Sequence, residues 1–319
     1  MRSPNALKLG TRRSALAMAQ SGKIARQVRD LTGREVELVE ITTYGDTSRE
    51  HLAQIGGTGV FVSALRDALL AGEIDFAVHS LKDLPTADPE GLTLAAVPVR
   101  EDPRDALVAR GGLTFETLPE GARIGTGSPR RMAQLNHWAR QLGLAVETVP
   151  IRGNVDTRIG YVASGDLDAV VLAAAGLGRL GRLTEATQLI PADAVLPAPG
   201  QGALAIECSA QSAELASTLA ELDDPFTRVA VTAERALLAA LEAGCSAPVG
   251  ALADLVADGQ VSELRLRGVV GTTDGTSLVQ MSITGATPAS REDAAALGRE
   301  LAAEMLAKGA AGLMGEREL

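Results

Sequence analysis

The chain has 319 residues, 46% of them hydrophobic and only 2% aromatic, with a formal net charge of -10. That length and apolar fraction exclude a largely disordered chain and allow two or three domains, each with its own core. The acidic total argues against nucleic acid as the principal partner, because duplex binding leaves a strongly basic face. The apolar runs are near strand length and broken by glycine or charge, so no membrane span is expected. Residues 1–10 lack the apolar stretch of a secretory signal, which makes the cytoplasm the expected location. Two cysteines, Cys208 and Cys245, are too few for a disulfide scaffold and are read as free thiols, with Cys208 in a buried apolar run. The three histidines and two cysteines have no metal-ligand spacing, and no metal is expected.

In chain order, Ala6 to Leu9 reads as a strand, followed by Gly10-Thr11-Arg12-Arg13-Ser14 and a helix to about Val28. Thr11 is expected to cap that helix, whose first amides with Arg12 suit an anion. Val36 to Ile41 is the next strand, and the Gly- and Thr-rich stretch 42–59 reads as a mobile loop over a site. A helix from Val60 to Leu70 leads to an apolar strand, Ile74 to Val78, and to the polar heptad His79-Ser80-Leu81-Lys82-Asp83-Leu84-Pro85. Open α/β sheets place ligands at strand carboxyl ends, so this heptad is a candidate reacting site, with Asp83 a carboxylate able to steady a cation or move a proton. Leu92 to Val97 is a further strand, and Arg100 to Arg104 a charged hinge.

A second unit repeats the alternation: strand Ala122 to Thr126, helix from Ser128 to about Leu142, strand Leu144 to Val149, helix from Val155, strand Ala169 to Leu172 and a helix into Gly178. Strands alternating with helices of this length predict parallel sheets with right-handed crossovers. Gly125-Thr126-Gly127-Ser128 could cradle an anion but fits neither the dinucleotide fingerprint nor the P-loop, so an ATPase reading is weak. Residues 100–182 hold eleven arginines against nine acids inside an acidic protein. Arg130 and Arg131 begin one helix, Arg152 follows a strand, Arg158 lies in the next first turn, and Arg179 ends a helix. Their convergence on one sheet edge predicts a field that collects a small polyanion.

Pro191 to Gly202 is a second hinge, and Ala203 to Cys208 a strand by which the chain returns to its first lobe, as in a two-lobed clamp. From Pro225 a long helix to Leu241, the loop Glu242-Ala243-Gly244-Cys245-Ser246, strands at about 251–256, 262–270 and 277–281, and a helix from Ser290 to Lys308 describe a small α+β domain. Cys245, in a loop, reads either as a structural thiol or as a covalent tether or nucleophile.

Seven ordered segments carry a resemblance that covers nearly the whole chain. They are Gly10-Thr11-Arg12-Arg13-Ser14-Ala15-Leu16-Ala17, the heptad 79–85, Arg100-Glu101-Asp102-Pro103-Arg104-Asp105-Ala106, Ile151 to Arg158, Gly176 to Gly181, Leu196-Pro197-Ala198-Pro199-Gly200-Gln201-Gly202-Ala203, and Glu242 to Gly250. With these the sequence resembles the porphobilinogen deaminase, or hydroxymethylbilane synthase, family. The resemblance implies two doubly wound periplasmic-binding-protein-like domains forming a cleft, plus a small C-terminal α+β domain. The boundaries expected are 1–101 with 198–220, 102–197, and 221–319. It implies a transferase that condenses four porphobilinogen molecules head to tail with loss of ammonia, on a dipyrromethane cofactor held through a thioether at Cys245. Loss of ammonia leaves a cationic azafulvene, which the free α-carbon of the bound pyrrole chain attacks. Asp83 is then the catalytic carboxylate with Lys82 beside it. Ser128, Arg130, Arg131, Arg152 and Arg158 match cofactor contacts, and Arg12, Ser14, Arg152 and Arg179 match substrate contacts. A monomer is implied, with no nucleic-acid or membrane partner. The chain departs from the family pattern at Thr58 and Ser63, where lysines are common, so a lysine-based lid contact is not assumed. Pro129 stands where Leu is common, and Ser246 where Gln is common. The competing readings are a non-catalytic small-anion binding protein and a cysteine-nucleophile acyltransferase. The first leaves Cys245 unexplained, and the second requires a base at Cys245 that the sequence does not reveal.

Overall fold

The computed structural model describes residues 6–42, 59–241, 247–258 and 261–314, the side chains of 59–61, 257–258 and 261–262 excepted. The stretch 43–58, read as a mobile loop, and Cys245 with its neighbours 242–246 lie outside the described residues. The chain divides into two compact units, Met1–Glu101 with Ala203–Arg228, and Asp102–Gly202 with Val229–Leu319.

In the first unit, strands β1 (Leu7–Thr11), β2 (Val36–Glu40), β3 (Phe76–Ser80), β4 (Leu92–Ala96) and β10 (Leu204–Ser209) form one sheet in the order β2-β1-β3-β10-β4. β1 runs parallel to β2 and β3, while β10 is antiparallel to both β3 and β4. Helix α1 (Ala15–Thr32) starts where the Ser14 side chain accepts the Ala17 amide at 3.2 Å, and ends at Gly33 with φ 67°. That positive φ is the left-handed cap position which glycine occupies without a Cβ clash. Ser14, and not Thr11, is therefore the cap. Thr11 lies buried on β1, where its hydroxyl accepts from Ser21 Oγ at 2.8 Å. Leu9, Ile24, Phe76 and Ile206, all fully buried, pack between α1 and the sheet. Helix α2 (Gly59–Leu70) puts Leu65 and Leu69 on the core of the other face.

The second unit repeats this plan. Strands β5 (Asp105–Ala109), β6 (Ala122–Gly125), β7 (Val146–Val149), β8 (Ala169–Ala173) and β9 (Gln188–Leu189) are ordered β7-β6-β8-β5-β9, with β6 parallel to β7 and β8, and β5 antiparallel to β8 and β9. Both sheets are thus mixed, which corrects the all-parallel expectation. In each, the antiparallel strand is the one that enters directly from the other unit, so it has no crossover helix to reverse its direction. Three helices follow the parallel strands: α3 (Pro129–Leu142), α4 (Val155–Ala163) and α5 (Ala174–Arg179). Ser128 caps α3 with Pro129 in the first turn, and Asn154 caps α4 by accepting the Thr157 amide at 2.9 Å. Phe115 stacks on Trp138 of α3 with ring centroids 4.1 Å apart.

After α6 (Ala213–Leu219) and α7 (Pro225–Ala240), three antiparallel strands, β11 (Val249–Asp258), β12 (Val261–Gly271) and β13 (Leu278–Ala286), form a meander against α7 and α8 (Arg291–Ala307). Gly268 lets α7 and α8 approach this sheet, since a Cβ there would meet Leu237 at 2.8 Å and Met305 at 2.9 Å. The chain segments at the unit limits are tied locally. Gln201 donates to Pro103 O and to Asp105 Oδ1, both at 2.8 Å, on the second unit's side. Asp223 accepts from the Val97 amide at 2.6 Å and pairs with Arg228 on the first unit's side.

Candidate active site

In the first unit the parallel neighbours β1 and β3 end at one sheet edge, which brings Arg12 and Ser14 beside the turn that follows Ser80. Gln20 of α1 donates to Ser80 Oγ at 2.9 Å and ties the helix that follows β1 to the end of β3. Residues Leu81–Asp83 form one turn of 3-10 helix, closed by Leu84 N to Leu81 O at 3.1 Å. Positions three apart eclipse in such a turn, so Leu81 and Leu84 are both buried while Lys82 and Asp83 are half-exposed between them. Leu81 N also donates to Ala203 O at 3.0 Å, so the returning strand β10 fixes the turn from behind. The heptad is thereby held on two buried leucines, with Lys82 and Asp83 half-exposed between them.

β3 runs two residues further than the apolar pattern indicates, to Ser80, and places His79 in the core. His79 Nε2 lies 3.2 Å from Glu207 Oε2, and Arg66 holds the same carboxylate through Nε at 3.1 Å and Nη2 at 2.7 Å. Burial pushes the Glu207 carboxyl up, but the bonds from His79 and Arg66 outweigh it and hold the group down at about 2. Glu207 is therefore the centre of a buried polar cluster behind the turn, with His79 and Arg66 as its partners. Cys208, the next residue on β10, is a fully buried free thiol whose pKa burial pushes up to about 11.

In the second unit, the carboxyl ends of β6, β7 and β8 present Ser128, Arg152 and α5 at one edge. Close approach there depends on glycine: a Cβ on Gly127 would meet Ile151 O at 2.5 Å, and Gly153 has φ 113°. The bonds Thr126 N to Val149 O at 2.9 Å and Ile151 N to Thr126 O at 3.4 Å keep the two loops in contact. Arg158 donates from Nε to Gly153 O at 2.8 Å. Burial, reinforced by the charges of Arg131 and Arg152, pushes the Arg158 pKa down to about 10. The charges of Arg131 and Arg152 thus both act on Arg158 at this sheet edge.

Arg130 and Arg131 are more deeply set than their place at a helix start suggests, at 3% and 5% exposed. Both are anchored on Asp105, itself fully buried: Arg130 Nη1 is 2.8 Å from Oδ2 and Arg131 Nη2 is 2.7 Å from Oδ1. Arg130 Nη1 also donates to Leu196 O at 2.6 Å, and Arg131 Nη1 to Val171 O at 2.9 Å. The Nε–H of each makes no hydrogen bond among the described residues. Burial raises the Asp105 carboxyl and the two guanidiniums lower it more, so it stays well below the ordinary carboxylate range. Arg179 Nη2 donates to Gly202 O at 2.7 Å, next to Gln201 and hence to Asp105. Asp105, which holds Arg130 and Arg131, and Gln201, which holds Asp105, are supports that the sequence reading passed over. The available signal was a lone acid opening the otherwise apolar run Asp105-Ala106-Leu107-Val108-Ala109.

The donor set of the second unit suits a group bearing several carboxylates, with its arginine-rich edge and two spare buried Nε–H donors. Among the described residues no cluster of three or more His, Cys, Asp or Glu is placed to hold a metal, and no helix is long and apolar enough to cross a membrane.

Comparison with known proteins agrees over most of the chain. Residues 7–217 match the family model described as porphobilinogen deaminase, dipyromethane cofactor binding domain, and residues 228–307 the model of the porphobilinogen deaminase C-terminal domain. The chain is 78% identical over 322 residues to porphobilinogen deaminase 1 of Streptomyces avermitilis, covering 99% of each sequence. It is 75% identical to porphobilinogen deaminase 1 of Streptomyces coelicolor over 98% of each, and 57% identical to porphobilinogen deaminase of Thermobifida fusca over 95% of this chain and 94% of that one. A sheet edge of mutually repelling guanidiniums, a carboxylate held out on a strand-end turn, and matches of this extent lead to one assignment: the chain belongs to the porphobilinogen deaminase (hydroxymethylbilane synthase) family.

Proposed function

We propose that the arginines at the carboxyl edge of the second sheet bind the acetate and propionate groups of pyrrole units, that Asp83 is the catalytic carboxylate, and that Cys245 carries the cofactor. The reaction of the family is the head-to-tail condensation of four porphobilinogen molecules, with release of ammonia, to linear hydroxymethylbilane. The bound dipyrromethane supplies the nucleophilic pyrrole carbon on which the chain is extended. The observation that supports the arginine assignments is the gathering of Arg130, Arg131 and Arg158 around the carboxyl ends of the parallel strands β6, β7 and β8, because a protein concentrates such charge where anions neutralise it.

Each residue's part follows from its setting. Arg131, Arg152 and Arg158, with the Ser128 hydroxyl at the start of α3, orient carboxylates of the cofactor. Arg130, held by Asp105 and Leu196 O, adds its positive charge to the same group. Arg12, Ser14, Arg152 and Arg179 take carboxylates of the incoming substrate, and the first amides of α1 add to Arg12 there. Asp83 faces outward from its two-leucine anchor. It stabilises the cation formed as ammonia leaves and moves the pyrrole proton. Lys82 sets the local field or meets a carboxylate.

The division 1–101 with 198–220, 102–197 and 221–319 is the functional one in this reading, assigning Asp83 with Arg12, the remaining arginines, and Cys245 to separate domains. A cytoplasmic monomer without nucleic-acid or membrane partner accords with the net charge of -10. Neither the anion-binding nor the acyltransferase alternative survives the family assignment. Measuring kcat and KM for porphobilinogen in Asp83→Asn and Arg152→Ala tests the roles: the first should lose kcat and the second should raise KM. The reverse pattern would defeat the assignment.

A further inference from the structure

On α3, one turn beyond Arg130, Gln134 is 4% exposed and grips both polar groups of a single backbone residue. Its Oε1 accepts from Leu196 N at 2.7 Å, and its Nε2 donates to Leu196 O at 3.0 Å. The same carbonyl takes Arg130 Nη1 at 2.6 Å. Leu196 O is therefore shared by two side chains four residues apart, which lie one above the other on a helix face. The next carbonyl, Pro197 O, accepts from Ala251 N of β11 at 2.9 Å. The backbone of β11 comes close enough that a Cβ on Gly250 would meet Leu196 O at 2.9 Å and Gln134 Nε2 at 3.1 Å. Gln134 thus sits where the helix bearing the arginines, the segment 196–197 and the C-terminal sheet meet.

We propose that Gln134 is a positioning residue for ligand binding. By pairing with Leu196 as a neighbouring strand would, it fixes how far α3 slides and turns against segment 196–197, and so where the Arg130 guanidinium sits between Leu196 O and Asp105. This rests on the reading of Arg130 as a carboxylate contact. Leucine at 134 removes both bonds, and glutamate keeps only the acceptor for Leu196 N.

The test is steady-state kinetics of the holoenzyme with porphobilinogen for Gln134→Leu, Gln134→Glu, Arg130→Lys and the Gln134→Leu/Arg130→Lys double variant, with hydrogen exchange at the Leu196 amide. Gln134→Leu should raise KM about tenfold with a smaller change in kcat, and should deprotect Leu196 N–H. Leu301→Ala, which opens a cavity in the C-terminal core, serves as a destabilised control whose KM stays at the wild-type value. In the Arg130→Lys background the leucine substitution should add less than about twofold, because the residue it positions is already altered. If Gln134→Leu does not fold, Gln134→Glu reads the same KM effect. A wild-type KM in Gln134→Leu, or a full tenfold effect again in the double variant, overturns the positioning role alone. A wild-type KM in Arg130→Lys overturns the carboxylate reading on which it rests.

Discussion

Asp105→Asn tests whether a buried carboxylate is what keeps two arginines inside the second unit. Asp105 is fully buried, contacts Arg130 and Arg131 at 2.8 and 2.7 Å, and accepts from Gln201 at 2.8 Å. Asparagine conserves volume but removes the charge and turns an amide N–H₂ toward a guanidinium. Breaking a buried pair by deleting one partner costs about 3–5 kcal/mol, because the other charge stays desolvated. The chain contains one tryptophan, Trp138, and it lies on α3 stacked against Phe115, so its fluorescence reports this unit. With a urea slope of about 2–3 kcal/mol/M, the tryptophan midpoint should fall by about 1–2.5 M. Because the Asp105 carboxyl is depressed in the folded state, its contribution is fully present above its ordinary 3.8 and is lost as pH falls through the lower folded value. The two proteins should therefore converge in acid. A midpoint shift below about 0.3 M at neutral pH would refute the argument.

Three further outcomes follow from the site. Asp83→Asn should lower kcat by about 10²–10⁴ at nearly unchanged KM and unchanged thermal midpoint, since the residue is half-exposed and its anchors are Leu81 and Leu84. Arg158→Gln should raise KM for porphobilinogen about tenfold while costing less than about 1 kcal/mol in denaturant unfolding, because relief of repulsion from Arg131 and Arg152 offsets the lost bond to Gly153 O. A large stability loss with unchanged KM would contradict that. Glu207, held at about 2 against an ordinary 4.5, contributes stability above pH 4.5 that disappears as pH falls toward 2. Glu207→Gln should flatten that acid limb of the first unit, followed by circular dichroism.

Most helices and strands were legible because their caps and periodicity are local. Ser128-Pro129 and Ser290 mark helix starts, and the apolar runs at 92–96, 169–173 and 204–209 mark strands. β5 was not found, because Asp105-Ala106-Leu107-Val108-Ala109 follows a charged stretch that reads as hinge. Its antiparallel pairing with β8 is a non-local choice that no window reveals. The same limit hid the mixed character of both sheets. Of the site, the residues proposed to meet ligand were named from their motifs, whereas the residues that hold them in place were not. Asp105 reaches Arg131 across 26 residues, Gln134 reaches Leu196 across 62 and Gln201 reaches Asp105 across 96, and only coordinates show that Arg130 and Arg131 share one carboxylate.

The central claim is that this chain works through a dipyrromethane fixed to Cys245, and the intact mass of the purified protein tests it most directly. The account predicts a mass increment of two linked pyrroles on the active protein, absent from Cys245→Ser together with the activity. An active protein with the unmodified mass of its sequence, or a Cys245→Ser protein that keeps the increment, would contradict it.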